Sequence, residues 1–183
     1  MNNKYILYPS TVKDLAAEIK TICDDYFARR LSNDEIQNLI IGYAETEADK
    51  LFERDSINPT ISKIIGKKRL DIVLKILSNH HSASIEAFNL LCDKVNAEFA
   101  EYSDSLLNES PQIIFEHSYE STIKKEILNI LLNEELTLKE TQYLLQLPDL
   151  LSTCYFAWLH NDLDMTDGIR TTVYNVAQAE FNY

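Results

Sequence analysis

The chain has 183 residues, with 29 Asp and Glu against 17 Lys and Arg, a formal net charge of −12, three glycines and four prolines. That length can bury a sizeable core in one domain or two small ones. So little Gly and Pro excludes a turn-rich sheet protein and leaves helices joined by short polar caps, and the expected fold class is all-α.

No apolar run approaches the roughly 20 residues needed to span a bilayer, so no membrane partner is expected. The N-terminal MNNKYILYPS has too short an apolar stretch for a secretory signal. Cys23, Cys92 and Cys154 are odd in number and far apart, which fits free thiols in a reducing cytosol rather than a disulfide or zinc framework. A cytoplasmic location is the expectation.

Helix starts are well marked along the chain. Ser10 and Thr11 precede Val12, Leu15, Ile19 and Ile22, a 3–4 spacing that predicts one apolar stripe and a helix to about Arg30. Ser32 with Glu35 forms a capping box, and Ile36, Leu39, Ile40, Tyr43, Leu51 and Phe52 follow on a second helix. Asn58-Pro59 opens a third, and Gly66 breaks or bends it before KKRLDIVLKIL, a fourth. SNHHS (78–82) is the expected boundary between two modules. From Ser84 a further helix shows Ile85, Phe88, Leu91, Val95 and Phe99. Ser110 and Pro111 start the next, lined by Ile113, Ile114, Ile123, Ile127, Ile130 and Leu131. Thr137 and Glu140 repeat the capping box. Pro148 ends that helix and Asp149 begins another, through Trp158. Thr166 or Asp167 caps a last helix ending near Phe181. The expectation is therefore two small helical modules, 1–78 and 79–183, with about eight to nine helices.

Charge separates the two halves. Residues 1–78 hold 12 basic and 12 acidic side chains, whereas residues 79–183 hold 5 and 17. All the net negative charge lies in the second half, which points to modules with different partners. Lys63, Lys67, Lys68, Arg69 and Lys75 form a basic patch in the first. On a continuous helix Lys63 and Lys67 share a face, and such cations, with Thr60 and Ser62, suit phosphates of nucleic acid or a partner surface. The bland alternatives are a solvated helix face, or cations pairing with acidic residues of the other half.

Little else carries chemistry. DLDMTDG (162–168) fails as a calcium loop, because Asp164 and Asp167 are three apart and the twelfth position from Asp162 is Val173. Asp162 and Asp164 read as a turn. His80, His81, His117 and His160 have no metal-ligand spacing. No nucleophile elbow or phosphate loop occurs. No catalytic residue, metal or cofactor is expected. Tyr155, Phe156, Trp158, Tyr174, Phe181 and Tyr183 crowd the C-terminal thirty residues; most belong in a core, and any left outside would anchor a partner.

Two stretches resemble known families. SNDEIQNLIIGYAETEADKLF and IGKKRLDIVLKIL place residues 1–77 in resemblance to a family of short cytosolic proteins from Firmicutes. SYESTIKKEILNILLNEELTLKETQYLLQLPDLLSTCYFAWLHNDL places residues 84–180 in resemblance to a separate domain-of-unknown-function family of the same bacteria. The resemblance implies a mobile-element context, where small counter-defence proteins are common. With the charge pattern it gives the leading expectation: a non-enzymatic inhibitor of the anti-CRISPR type. Such a protein would bind a nucleic-acid-guided nuclease such as Cas9 through its basic channel and block DNA binding or cleavage. The contacts expected on that reading are Glu98, Glu101, Asp104, Glu109, Glu116, Glu120, Glu134 and Glu135, with the basic patch on DNA or guide RNA. The alternatives are a DNA-associated accessory protein of a mobile element and a protein–protein adaptor.

Overall fold

The computed structural model describes residues 4–54, 56–160 and 165–178, and among them the chain is all-helical apart from one short hairpin. It falls into two compact units, Met1–Ser82 and Ala83–Tyr183.

The first unit contains α1 (Val12–Phe27), α2 (Asn33–Thr46), α3 (Ala48–Leu51), the antiparallel strands β1 (Phe52–Glu53) and β2 (Ser56–Ile57), α4 (Pro59–Ile65) and the first part of α5 (Lys67–Leu107). Local chemistry sets most of these ends. Thr11 and Asp14 close a capping box at α1, and Ser32 and Glu35 close one at α2. Asn58 caps α4 with Pro59 at its first position. The α1 stripe Leu15, Ile19 and Ile22 is fully buried against Ile40, Ile61 and Ile65. Each such side chain stabilises the fold by about 1.5–3 kcal/mol on burial.

Helix α1 stops at Phe27, short of the expected Arg30. The Arg29 amide bonds to the Tyr26 carbonyl (2.9 Å) and the Arg30 amide to that of Asp25 (2.8 Å), with Arg29 at φ 57°. This is a Schellman stop built on a left-handed arginine where glycine is usual, so sequence gives little warning of it. The expected second helix also divides: Leu51 ends α3 and Phe52 enters β1, with Arg54 left-handed at the turn (φ 56°).

The segment before α1 is tied down by polar contacts. Tyr5 donates to Asp25 Oδ2 (2.6 Å), and Tyr43 donates to the Ile6 carbonyl (2.6 Å). Burial pushes the Tyr43 pKa up to about 12, which keeps it a donor. Asp25 is 4% exposed and also takes bonds from Lys4 and Arg30.

The second unit contains the rest of α5, then α6 (Pro111–Glu116), α7 (Ser118–Asn133), α8 (Leu138–Gln146), α9 (Leu150–Trp158) and α10 (Met165–Gln178). Its core joins the α7 stripe Ile123, Ile127 and Leu131 to Leu151 and Cys154 of α9 and Val173 of α10. Ser110 caps α6, and Thr137 with Glu140 closes a box at α8.

Three expectations are corrected here. The backbone is helical through 78–82, so the fourth and fifth expected helices are one helix of 41 residues. The single helix expected from Pro111 is interrupted at His117, leaving Ile113 and Ile114 on an α6 that buries no residue. The last helix begins at Met165, so Thr166 and Asp167 lie within it rather than capping it. The count among the described residues is ten helices. Asp162, Asp164, Phe181 and Tyr183 lie outside the described residues.

Candidate interaction surfaces

The basic patch is not one helix face. Gly66 takes φ 74° and separates α4, which carries Lys63, from α5, which carries Lys67, Lys68, Arg69 and Lys75. Two of the five cations serve the fold. Arg69 Nε and Nη2 donate to Asp24 Oδ1 (2.8 and 2.5 Å), while Nη1 reaches the Ile65 carbonyl (3.0 Å) at the end of α4. It thereby satisfies an orphan carbonyl of one helix and pins it to another. Lys68 Nζ stands 4.3 Å from the Phe27 ring centroid. Lys63, Lys67 and Lys75 are exposed and make no ion pair among the described residues.

The acidic set divides in the same way. Glu98 Oε1 accepts from the Leu150 amide (3.1 Å), and Oε2 accepts from that of Leu151 (2.8 Å). Asp149 makes no side-chain capping bond, so a glutamate on α5 caps α9 in its place. Lys94 Nζ pairs with the same Glu98 carboxylate at 2.9 Å. Glu120 lies between Lys124 (2.8 Å) and His117 (3.1 Å). Burial pushes the Glu120 pKa up, but its bonds to Lys124 and His117 prevail and hold it below the usual carboxylate range. Glu134 accepts from Arg170 Nε (2.7 Å) and Tyr174 (3.1 Å), and these two bonds lower its pKa. Glu116 accepts from Gln112 (2.9 Å) on the exposed α6. Glu101, Asp104, Glu109 and Glu135 are exposed, their carboxylates without hydrogen-bond or ion-pair partners among the described residues.

Sequence reading missed a cleft of ≈ 290 Å³ in this unit, lined by Glu98, Glu101, Tyr102, Lys124, Asp149 and Ser152 among others. Lys124 is 5% exposed. Its ammonium bonds Glu120, reaches Ser152 Oγ at 3.2 Å, and stands 4.0 Å from the Tyr102 ring centroid. All its donor capacity is met inside the fold, so the groups this cleft offers outward are the carboxylates of Glu101 and Asp149. Glu98, Glu101 and Ser105 share one face of α5 by helical spacing, but the partner elements α7 and α9 lie far along the chain and local spacing does not point to them.

Of the C-terminal aromatics, Trp158 is buried and donates to the Tyr119 hydroxyl (3.1 Å), and Tyr155 and Tyr174 are half-buried. Phe156 stays outside. Among the described residues no group of three His, Cys, Asp or Glu is placed to hold a metal, and no helix is long and apolar enough to cross a membrane.

These features define an all-helical protein with a charge-balanced unit followed by a strongly acidic one. Residues 6–78 match the model of a family described as "Conserved hypothetical protein", consistent with the small Firmicutes proteins that this stretch resembles. No curated protein and no solved structure matches the chain.

Proposed function

We propose that the chain is a non-enzymatic inhibitor that sets the acidic face of residues 83–183 against a basic, nucleic-acid-holding channel of a protein partner. A guided nuclease of the Cas9 type is the first candidate. One observation carries this reading. The unit has five cations against seventeen carboxylates, and Lys94, Lys124 and Arg170 are already spent on internal pairs. Glu101, Asp104, Glu109 and Glu135 are thus left to an outside partner. A field of that sign steers a basic surface toward the unit and competes with the nucleic acid that surface holds.

Not all eight acids are free for a partner. Glu98 and Glu134 tie helices together, and Glu120 is paired with Lys124 and His117, so reversing them would test folding rather than contact. The test is a Glu101→Lys, Asp104→Lys, Glu109→Lys triple variant, assayed by co-elution with guide-loaded Cas9 beside a cleavage titration. The expected result is a stoichiometric complex for the parent, lost in the variant with helicity retained. Unchanged inhibition by a folded variant would remove this face from the mechanism. If the parent neither co-elutes nor slows cleavage, Cas9 is not the target.

The adaptor reading has one observation in its favour. α6 presents Ile113, Ile114 and Phe115 to solvent, Phe115 at 74% exposure. A monomer gains nothing from that arrangement. A Phe115→Glu change that shifts a concentration-dependent oligomer to monomer would support a second copy as its occupant.

A further inference from the structure

A cleft of ≈ 340 Å³ in the first unit, between the end of α1, α2 and the start of α5, differs in kind from the acidic surface. Helical spacing builds it. Asn33 and Gln37 are four apart on α2, while Ile72, Lys75, Ile76 and Asn79 fall on one face of α5. Ile36 and Ile76 are buried at its floor, and Tyr26 closes one side. The polar groups are side-chain amides, each carrying both a donor and an acceptor. Tyr26 donates to Asn33 Oδ1 (2.8 Å), which leaves the Asn33 NH₂ end to meet something else. Gln37, Lys75 and Asn79 have no hydrogen-bond or ion-pair partner among the described residues.

Lys75 is the sole charged group in the lining, although the chain as a whole is strongly acidic. A second cleft of ≈ 400 Å³ shares Tyr26 and Asn33 and adds Arg29, again without a carboxylate. The nearby acids in sequence, Asp24, Asp25, Asp34, Glu35 and Asp71, line neither; Asp24 is spent on Arg69, Asp25 on Lys4, Tyr5 and Arg30, and Glu35 on the Ser32 amide (2.7 Å).

An aromatic ring and branched aliphatics beside unpaired amides suit a flat heterocycle with hydrogen-bonding edges, and a lone lysine suits an anion attached to it. We propose that this cleft binds a phosphorylated nucleotide unit, its base among Tyr26, Ile72 and the amides of Asn33, Gln37 and Asn79, its phosphate on Lys75. The unit is a free nucleotide or one residue of a single strand. This site is independent of the acidic face.

The test is NMR titration of the full chain, following the side-chain amides of Asn33, Gln37 and Asn79. The probes are adenosine 5′-monophosphate, inorganic phosphate, and a short 5′-phosphorylated single-stranded oligonucleotide. The monophosphate is expected to shift those amides, and Lys75→Ala to weaken it roughly tenfold, the loss of one charge-assisted bond. Lys139→Ala, an exposed lysine of the other unit, leaves affinity unchanged. Gln37→Leu weakens the nucleotide but not inorganic phosphate. A strand that binds tighter than the monophosphate and also shifts Arg29 and Ser32 identifies the source as nucleic acid; equal affinity identifies a free nucleotide. No shift of these amides at millimolar nucleotide overturns the proposal. So does an equal loss in Lys139→Ala, or inorganic phosphate reproducing the nucleotide's shifts at the same affinity.

Discussion

Replacing Glu98 should loosen the second unit while leaving the first alone. Its carboxylate accepts two amide bonds at the start of α9, at 3.1 and 2.8 Å, and its side chain is 18% exposed. A bond to a charged acceptor contributes about 1.5–3 kcal/mol, and loss of an ordinary helix cap costs about 0.5–2 kcal/mol. In Glu98→Ala two amides lose their acceptor beside the buried Leu150 and Leu151. Water recovers part of that, so the expected loss is about 2–4 kcal/mol. Glu98→Gln keeps one acceptor oxygen and sets an NH₂ against the other amide, for roughly half that loss. Trp158 is the one tryptophan in the chain and is buried in this unit, so its fluorescence in a urea titration reads the effect directly. Far-UV circular dichroism follows both units together. A fluorescence midpoint that moves by less than the equivalent of about 0.5 kcal/mol in both variants would show that α9 needs no cap from α5.

The two assigned glycines of the first unit should respond in opposite directions. Gly66 sits at φ 74° and ψ 164°, a region that costs other residues about 1–3 kcal/mol, so Gly66→Ala destabilises by that order. Gly42 lies inside α2 with open space at its Cβ position, so Gly42→Ala stabilises by about 0.5–1 kcal/mol; thermal melts of the pair settle both signs. Bonds from Lys4, Tyr5 and Arg30 hold the Asp25 pKa far below the usual carboxylate range. Its contribution is therefore complete above an unfolded value of about 4 and fades as pH falls toward the folded one. The urea-midpoint gap between the parent and Asp25→Asn should narrow from pH 7 to pH 3, and a constant gap would sink the assignment. Burial pushes the Cys23 thiol up to about 11 and Cys154 up to about 12, whereas Cys92 is half-buried. Disulfide-reagent titration should show one early thiol, abolished by Cys92→Ser, and two that react on unfolding.

What the sequence made legible were short-range devices. Ser10-Thr11, the boxes at Ser32 and Thr137, and the prolines at 59 and 111 act over three or four residues, and each marks a helix start in the structure. The misreadings have physical causes. SNHHS reads as a break between two helices because it is polar, yet polar residues cost a helix interior only tenths of a kcal/mol each, and a surface helix tolerates several. Polarity and charge change were signals of exposure, not of a backbone break. The interruption at His117 has neither Gly nor Pro to announce it. The surfaces were legible as composition and not as contacts. Arg69 finds Asp24 forty-five positions away, and Glu98 finds Leu150 at fifty-two. Those long-range pairs decide which charges face outward.

The uninterrupted α5 bears on how the chain meets proteases. Endopeptidases bind extended backbone, which is why they nick exposed loops first. Ser78, Asn79, His81 and Ser82 are exposed and would pass in sequence for an interdomain connector, but their amides are committed to helical bonds. Cleavage there requires several turns to melt first, and a nick would strand four carbonyls on one side and four amides on the other. The turn at Arg54 and the stretch Asn108–Ser110 are the weaker points, so limited digestion should not yield the two halves that the charge distribution suggests.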